Sequence, residues 1–276
     1  MRFRKIYLEI SNICNLSCAF CPKTKRAPRR MSPSEFSSIV GRLRPFSDYI
    51  YFHLMGEPLC HPELEAFLNI AGAHGFKVII TTNGTLLGKK GDILITHPAV
   101  HKVNISLHAF EANDIPMSFD EYLDGALDFT KAAEGKKIIV LRLWNEGGEN
   151  ELNEKIVSKI KEHFTDWVSE KHGIRIGEKT YLENGDKFEW PDLAATDGGE
   201  NVFCYGLCDQ IGILADGTVV PCCLDHEGDI ALGNIFESSM EEILTSERAT
   251  AISEGFKNHR ATEELCRKCS YARRFK

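Results

Sequence analysis

The chain has 276 residues, 43% of them hydrophobic, enough to bury a sizeable core as one large domain or two smaller ones. Its net charge of −7 excludes the global basic footprint of a nucleic-acid binder. No apolar run approaches the roughly 20 residues that span a bilayer, no secretion leader is visible, and the ten cysteines fall mostly in two clumps with metal-ligand spacing. A reducing cytoplasm, without membrane partners, is the expected setting.

From residue 5 to about 180, short β-branched runs alternate with longer helical patterns. Strands are expected at Lys5–Ile10, Tyr49–His53, Lys77–Thr81, Lys102–Ser106, Lys137–Leu143 and Ile174–Ile176. Helices are expected at Ser34–Leu43, Glu63–His74, Leu86–Ile95, Phe119–Glu134 and Asn150–Phe164. Ser32-Pro33-Ser34-Glu35 and His61-Pro62-Glu63 read as helix starts, with proline and carboxylates in the first turn. This alternation predicts an α/β fold with a parallel sheet and right-handed crossovers, six units fitting a partial (β/α)6 TIM-like barrel.

Barrel chemistry gathers at the C-terminal ends of strands, and the motifs fall there. Cys14, Cys18 and Cys21, spaced Cys-x3-Cys-x2-Cys, follow the first strand. Three thiolates can hold three irons of a 4Fe–4S cube and leave the fourth iron open, whereas four thiolates close an ordinary ferredoxin cluster. A zinc knuckle needs a fourth ligand, and the next candidates, His53 and Cys60, are distant in sequence. Met55-Gly56-Glu57-Pro58 follows the second strand, Thr81-Thr82-Asn83-Gly84 the third, Ser106-Leu107-His108 the fourth and Arg142-Leu143-Trp144-Asn145 the fifth.

The triplet, with Phe20 before its last cysteine, resembles the signature of the radical S-adenosylmethionine (SAM) superfamily, whose core is such a barrel. The resemblance implies SAM bound to the open iron and cleaved reductively to a 5′-deoxyadenosyl radical. It also implies Gly56 and Glu57 at the SAM amino group, Ser106 at ribose or carboxylate, Arg142 at the carboxylate and Phe20 beside adenine. Met55 stands where that family usually has a first glycine, which matters little for a main-chain contact. No catalytic residue is identified. His53 and His108 are weak candidates near the open face, and a backbone-satisfied histidine is the plainer alternative for each.

Lys23, Lys25, Arg26, Arg29 and Arg30 follow the triplet. They read either as a solvated loop or as a docking surface for an acidic electron donor such as flavodoxin or ferredoxin. Domain boundaries are expected at 1–180 for the barrel, 181–203 for a polar, turn-rich linker and 204–276 for a small cysteine-rich α+β domain. In that last part Asp216-Gly217 between apolar runs signals a two-residue hairpin. Cys204, the hairpin, Cys222, Cys266 and Cys269 resemble the SPASM/twitch extension of radical SAM enzymes. That implies an auxiliary 4Fe–4S cluster on these four thiols, with Cys208 or Cys223 as possible replacements. A four-cysteine zinc site is the alternative. Cys60, Cys208 and Cys223 otherwise read as small buried side chains. Phe188 and Trp190 fit either a stacking lid or interdomain packing.

The expected activity is hydrogen abstraction from a substrate between the barrel mouth and the extension. A chain opening directly on the first barrel strand favours a small molecule. In length and in segments such as Leu141-Arg142-Leu143-Trp144-Asn145 and Pro221-Cys222-Cys223-Leu224-Asp225 it is similar to the queuine lyase subgroup, enzymes of queuosine salvage that cleave queuine to 7-aminomethyl-7-deazaguanine. A lyase is thus slightly favoured over an oxidoreductase. The alternatives are a peptide- or protein-modifying maturase, and a non-catalytic electron-transfer or zinc-binding protein.

Overall fold

In the computed structural model, which describes residues 2–171 and 173–275, five strand–helix units follow one another. The strands are β1 (Lys5–Leu8), β2 (Tyr49–Phe52), β3 (Lys77–Thr82), β4 (Val100–Ser106) and β5 (Ile138–Glu146). The helices after them are α1 (Pro33–Leu43), α2 (Leu64–Ala73), α3 (Leu87–Thr96), α4 (Phe119–Ala133) and α5 (Asn153–His163). Helix α1 begins as its sequence dictates. The Ser32 hydroxyl accepts from the Glu35 N–H at 3.2 Å, and the Glu35 carboxylate accepts from the Ser32 N–H at 2.7 Å. The helix buries Phe36, Ile39, Val40 and Leu43, one face of a 3.6-residue period. Phe36 packs with Phe52 of β2 and Phe67 of α2, ring centroids 4.9–6.3 Å apart. Burying each such ring contributes about 1.5–3 kcal/mol.

The expected sixth strand is corrected. Residues Ile174–Ile176 lie in β7 (Gly173–Gly177), which forms an antiparallel meander with β6 (Val168–Glu170) and β8 (Thr180–Asp186). The sixth parallel partner is β8, pairing with β5 through Arg142↔Glu183. Glu183-Asn184-Gly185-Asp186, expected in the linker, therefore belongs to the sheet. Pairing with β5 overrides its low strand propensity.

The extension joins the same sheet at its other edge. Strand β9 (Gln210–Ile213) pairs parallel with β1, then antiparallel with β10 (Thr218–Val220), which pairs with β11 (Gly233–Asn234). The sheet order is β11-β10-β9-β1-β2-β3-β4-β5-β8-β7-β6. The hairpin loop is one residue longer than expected. Gly217, at φ +87, sits in the left-handed bulge position, its N–H reaching the Leu214 carbonyl at 2.9 Å while Leu214 N–H reaches Thr218 at 2.8 Å. Helices α6 (Met240–Thr245), α7 (Glu247–Lys257) and α8 (Glu264–Arg267) complete the extension. Among the described residues no helix is long and apolar enough to cross a membrane.

One buried ion pair fastens these parts together. Glu9, just past β1, is fully buried, and Arg26 grips its carboxylate with two hydrogen bonds of 2.9 and 2.7 Å. The same carboxylate accepts from the N–H groups of Met55 (3.2 Å) and Ala215 (3.1 Å). Arg26 also donates to the His226 carbonyl (2.9 Å), and Arg29 to the Ala215 carbonyl (2.9 Å). Two of the five cations expected at a docking surface thus face the extension. Lys23, Lys25 and Arg30 remain exposed. Replacing Arg26 with Met leaves Glu9 charged and unpaired, so Arg26→Met should cost about 3–5 kcal/mol. Denaturant unfolding of anaerobically prepared protein checks this; an unchanged midpoint contradicts it.

Candidate active site

The loop after β1 carries Cys14, Cys18 and Cys21 as free thiols, exposed or half-buried. Side chains in the loops after β3 and β4 brace it. Asn83 donates to Asn15 Oδ1 at 3.0 Å, and Asn113 donates to Cys18 Sγ at 3.0 Å while accepting from Ser17 N–H at 2.8 Å. Leu16 N–H points at Cys14 Sγ at 3.4 Å. Amides aimed at sulfur suit thiolates that hold a metal cluster. Burial raises the Cys14 thiol to about 11, so ligation there must displace a proton.

Beside this loop lies a cavity of about 580 Å³, a usual size for a small-molecule site. Side chains from the six parallel strands of the barrel line it, among them Lys5 and Tyr7 of β1, Tyr51 of β2, Thr81 of β3, Lys102, Asn104 and Ser106 of β4, Arg142 of β5 and Glu183 of β8. The sheet therefore curves around the cavity. The extension closes it with Tyr205, Asp209, Gln210, Cys223, Tyr271 and Phe275. Among the described residues, the buried side-chain polar atoms without a hydrogen-bond partner are His53 Nδ1, Asn104 Oδ1, Arg142 Nε and Asp209 Oδ1. All four residues line this cavity. Buried polar groups are normally paired, so this concentration marks a place for a polar ligand.

The expected SAM contacts divide. Phe20, Ser106 and Arg142 line the cavity, with the Phe20 ring 4.9 Å from that of His108. Arg142 stacks on Trp144 at 4.3 Å, and its Nε faces Glu183 Oε2 at 3.4 Å without hydrogen-bond alignment. Gly56 presses on the cysteine loop. At φ +78, a Cβ there would lie 2.3 Å from the Ser11 carbonyl. Glu57 lies against the cysteine loop, its N–H donating to the Ile13 carbonyl at 3.0 Å. It does not line the cavity; its carboxylate is buried and accepts from Leu59 N–H (2.9 Å) and Asn83 N–H (2.7 Å), bracing the loops after β2 and β3. Burial raises it to about 7, against those hydrogen bonds. His53 and His108 both line the cavity, held by burial to about 3 and about 4, hence neutral at pH 7. His108 Nδ1 lies 3.1 Å from the Arg142 carbonyl.

Cys204, Cys222, Cys266 and Cys269 meet around a second, small cavity, which neither Cys208 nor Cys223 lines. Cys208 is exposed, not buried as expected. Cys223 faces the large cavity beside Tyr7, its thiol raised to about 11 by burial. Among the described residues no three His, Cys, Asp or Glu side chains draw together tightly enough for a single ion, so these thiols ring a wider space. Phe188 and Trp190 are wall residues of the large cavity, their rings 5.6 Å apart.

A family model described as the radical SAM superfamily matches residues 8–169, and one described as an iron-sulfur cluster-binding domain (SPASM) matches residues 204–270. The chain belongs to the radical SAM superfamily. It is 23% identical over 276 residues to an S-adenosyl-L-methionine-dependent 2-deoxy-scyllo-inosamine dehydrogenase of Niallia circulans, covering 97% of this chain and 93% of that one. The solved structure of BtrN with AdoMet and 2-DOIA is similar at TM-score 0.61 and 20% identity, over 98% of this chain and 94% of that one. Streptococcus suis SuiB bound to precursor peptide SuiA is similar at TM-score 0.65 and 15% identity, over 98% and 71%.

The cofactors are thus SAM, the 4Fe–4S cluster that binds it and an auxiliary cluster. The donor sets fit: three braced thiols beside the large cavity, and four around the small one. Residues that sequence reasoning missed, such as Glu9, Lys102, Asn104 and Glu183, are polar positions within strand patterns. The alternation Lys102-x-Asn104-x-Ser106 was a legible sign of a polar barrel lining. Iron analysis should give about eight irons per chain, falling to about four in Cys222→Ala and unchanged in Cys208→Ser. Gly56→Ala, forced against Ser11, should weaken SAM binding by about tenfold or more, measured by equilibrium dialysis. Wild-type affinity would refute that placement.

Proposed function

We propose that the chain acts on a small, polar, nitrogen-containing molecule held between the barrel and the extension. The concentration of unpaired buried polar atoms on this one cavity supports that most strongly. A SAM-bound cluster, when present, supplies a 5′-deoxyadenosyl radical. This chain's own part is to hold cluster and SAM with Cys14, Cys18, Cys21, Ser106 and Arg142, and to exclude water with Phe20, Trp144, Phe188 and Trp190. Neutral His53 and His108 offer hydrogen bonds without adding charge. The exposed Lys23, Lys25 and Arg30 beside the cysteine loop fit an acidic electron donor.

Within that class we favour lyase chemistry on queuine, giving 7-aminomethyl-7-deazaguanine. A flat base with polar edges matches a cavity that combines aromatic walls with Lys5, Lys102, Glu183 and Asp209. A second reading is dehydrogenation of an aminocyclitol, supported by full-length likeness to the 2-deoxy-scyllo-inosamine dehydrogenase. Fold likeness to SuiB leaves a peptide substrate as the third. Reduced, reconstituted enzyme with SAM separates them. Queuine should accelerate 5′-deoxyadenosine release and yield the aminomethyl base. Acceleration by the aminocyclitol alone, with an oxidised product, establishes dehydrogenation; no response to either rejects both small-molecule assignments.

A further inference from the structure

Asp209 lies immediately before β9, where the extension enters the sheet. Its carbonyl accepts from Arg4 N–H at 2.9 Å and Lys5 N–H at 3.1 Å, and its own N–H donates to the Tyr205 carbonyl at 3.0 Å. The turn before it holds Leu207 at φ 54, a left-handed conformation disfavoured for a residue with a Cβ. Leu207 N–H is secured on the Gln210 carbonyl at 2.9 Å. Strain of this kind persists where surrounding structure fixes it, commonly at ligand clamps.

This anchoring uses only the backbone. Oδ1 of the side chain is buried without a partner, in a residue that lines the cavity. A desolvated, unpaired carboxylate oxygen is costly, and an ionised carboxylate is acceptor-only, so whatever completes it must bring donors. Gln210, with both an amide N–H2 and a carbonyl, lines the cavity next in sequence, and the Tyr7 and Tyr51 rings, 5.0 Å apart, supply flat apolar surface. A carboxylate beside an amide and aromatic faces matches the edge of a 2-aminopyrimidin-4-one ring, whose ring N–H and exocyclic NH2 are adjacent donors.

We propose that Asp209 is a specificity-determining residue that accepts hydrogen bonds from the ring N–H and exocyclic amino group of a flat, guanine-like heterocycle. This rests on the small-molecule function proposed above. Two of the other unpaired atoms, His53 Nδ1 and Asn104 Oδ1, are then available to the substituent of the base.

The test is calorimetric binding to unreduced, SAM-loaded holoenzyme, with queuine and its 2-deamino counterpart as probes. Wild-type protein should bind the 2-deamino compound about 10- to 100-fold more weakly. Asp209→Asn, with iron content and near-UV circular dichroism as in the wild type, should bind queuine weaker by a similar factor and no longer distinguish the two. The comparison of ligands on wild-type protein holds even where the variant fails to fold. Equal binding of both compounds by wild-type protein, or undiminished queuine binding by Asp209→Asn, refutes the role of Asp209 and leaves the small-molecule function standing. If wild-type protein binds neither compound, the role of Asp209 and the queuine assignment fall together.

Discussion

A single buried carboxylate governs how this molecule is assembled. Glu9 receives Arg26 from the segment after the cysteine triplet, Met55 N–H from the loop after β2 and Ala215 N–H from the extension's hairpin. An unpaired charge in that position would be expensive, so the Arg26 grip and the two N–H donors are each required to make its burial tolerable. Three segments distant in sequence consequently share one anchoring point. The SAM-side loops and the cysteine-rich extension cannot shift independently without breaking a charge-assisted hydrogen bond.

The parallel addition of β9 to β1 reinforces this arrangement. The extension prolongs the barrel sheet, and its Asp209 carbonyl caps the first residues of β1. The space left between barrel and extension is lined by alternate residues of the strands. Their inward faces are polar, unlike the near-continuous apolar runs of a parallel sheet buried on both sides. Such a lining lowers fold stability unless something pairs with it, and the unpaired atoms of His53, Asn104, Arg142 and Asp209 show where that pairing is incomplete.

Much of this was legible from local signals. The cysteine triplet, the capping box at Ser32–Glu35, the five strand–helix units and the Asp-Gly hairpin each rest on short-range chemistry, and each lies where the pattern placed it. The misplacements share one cause, tertiary context. Strand β8 runs on through Asn184 and Gly185, which read as a turn until β5 pairs with Glu183, Asn184 and Asp186. Arg26 and Arg29 look like surface charge until the extension folds back 200 residues later. Glu57 looks like a ligand-binding carboxylate only, and the fold also gives it two backbone N–H donors, from Leu59 and Asn83. Cys222 and Cys223 are adjacent in the bend after β10, and that bend sends them to different cavities.

The chain emerges as a radical SAM enzyme in which two cysteine sites flank one polar chamber, held in relation by Glu9. Diffraction from holoenzyme crystals on either side of the iron absorption edge tests this most directly. Two iron centres are predicted, one at Cys14, Cys18 and Cys21 and one among Cys204, Cys222, Cys266 and Cys269. Zinc in place of iron at the second position, or iron at only one, would contradict it.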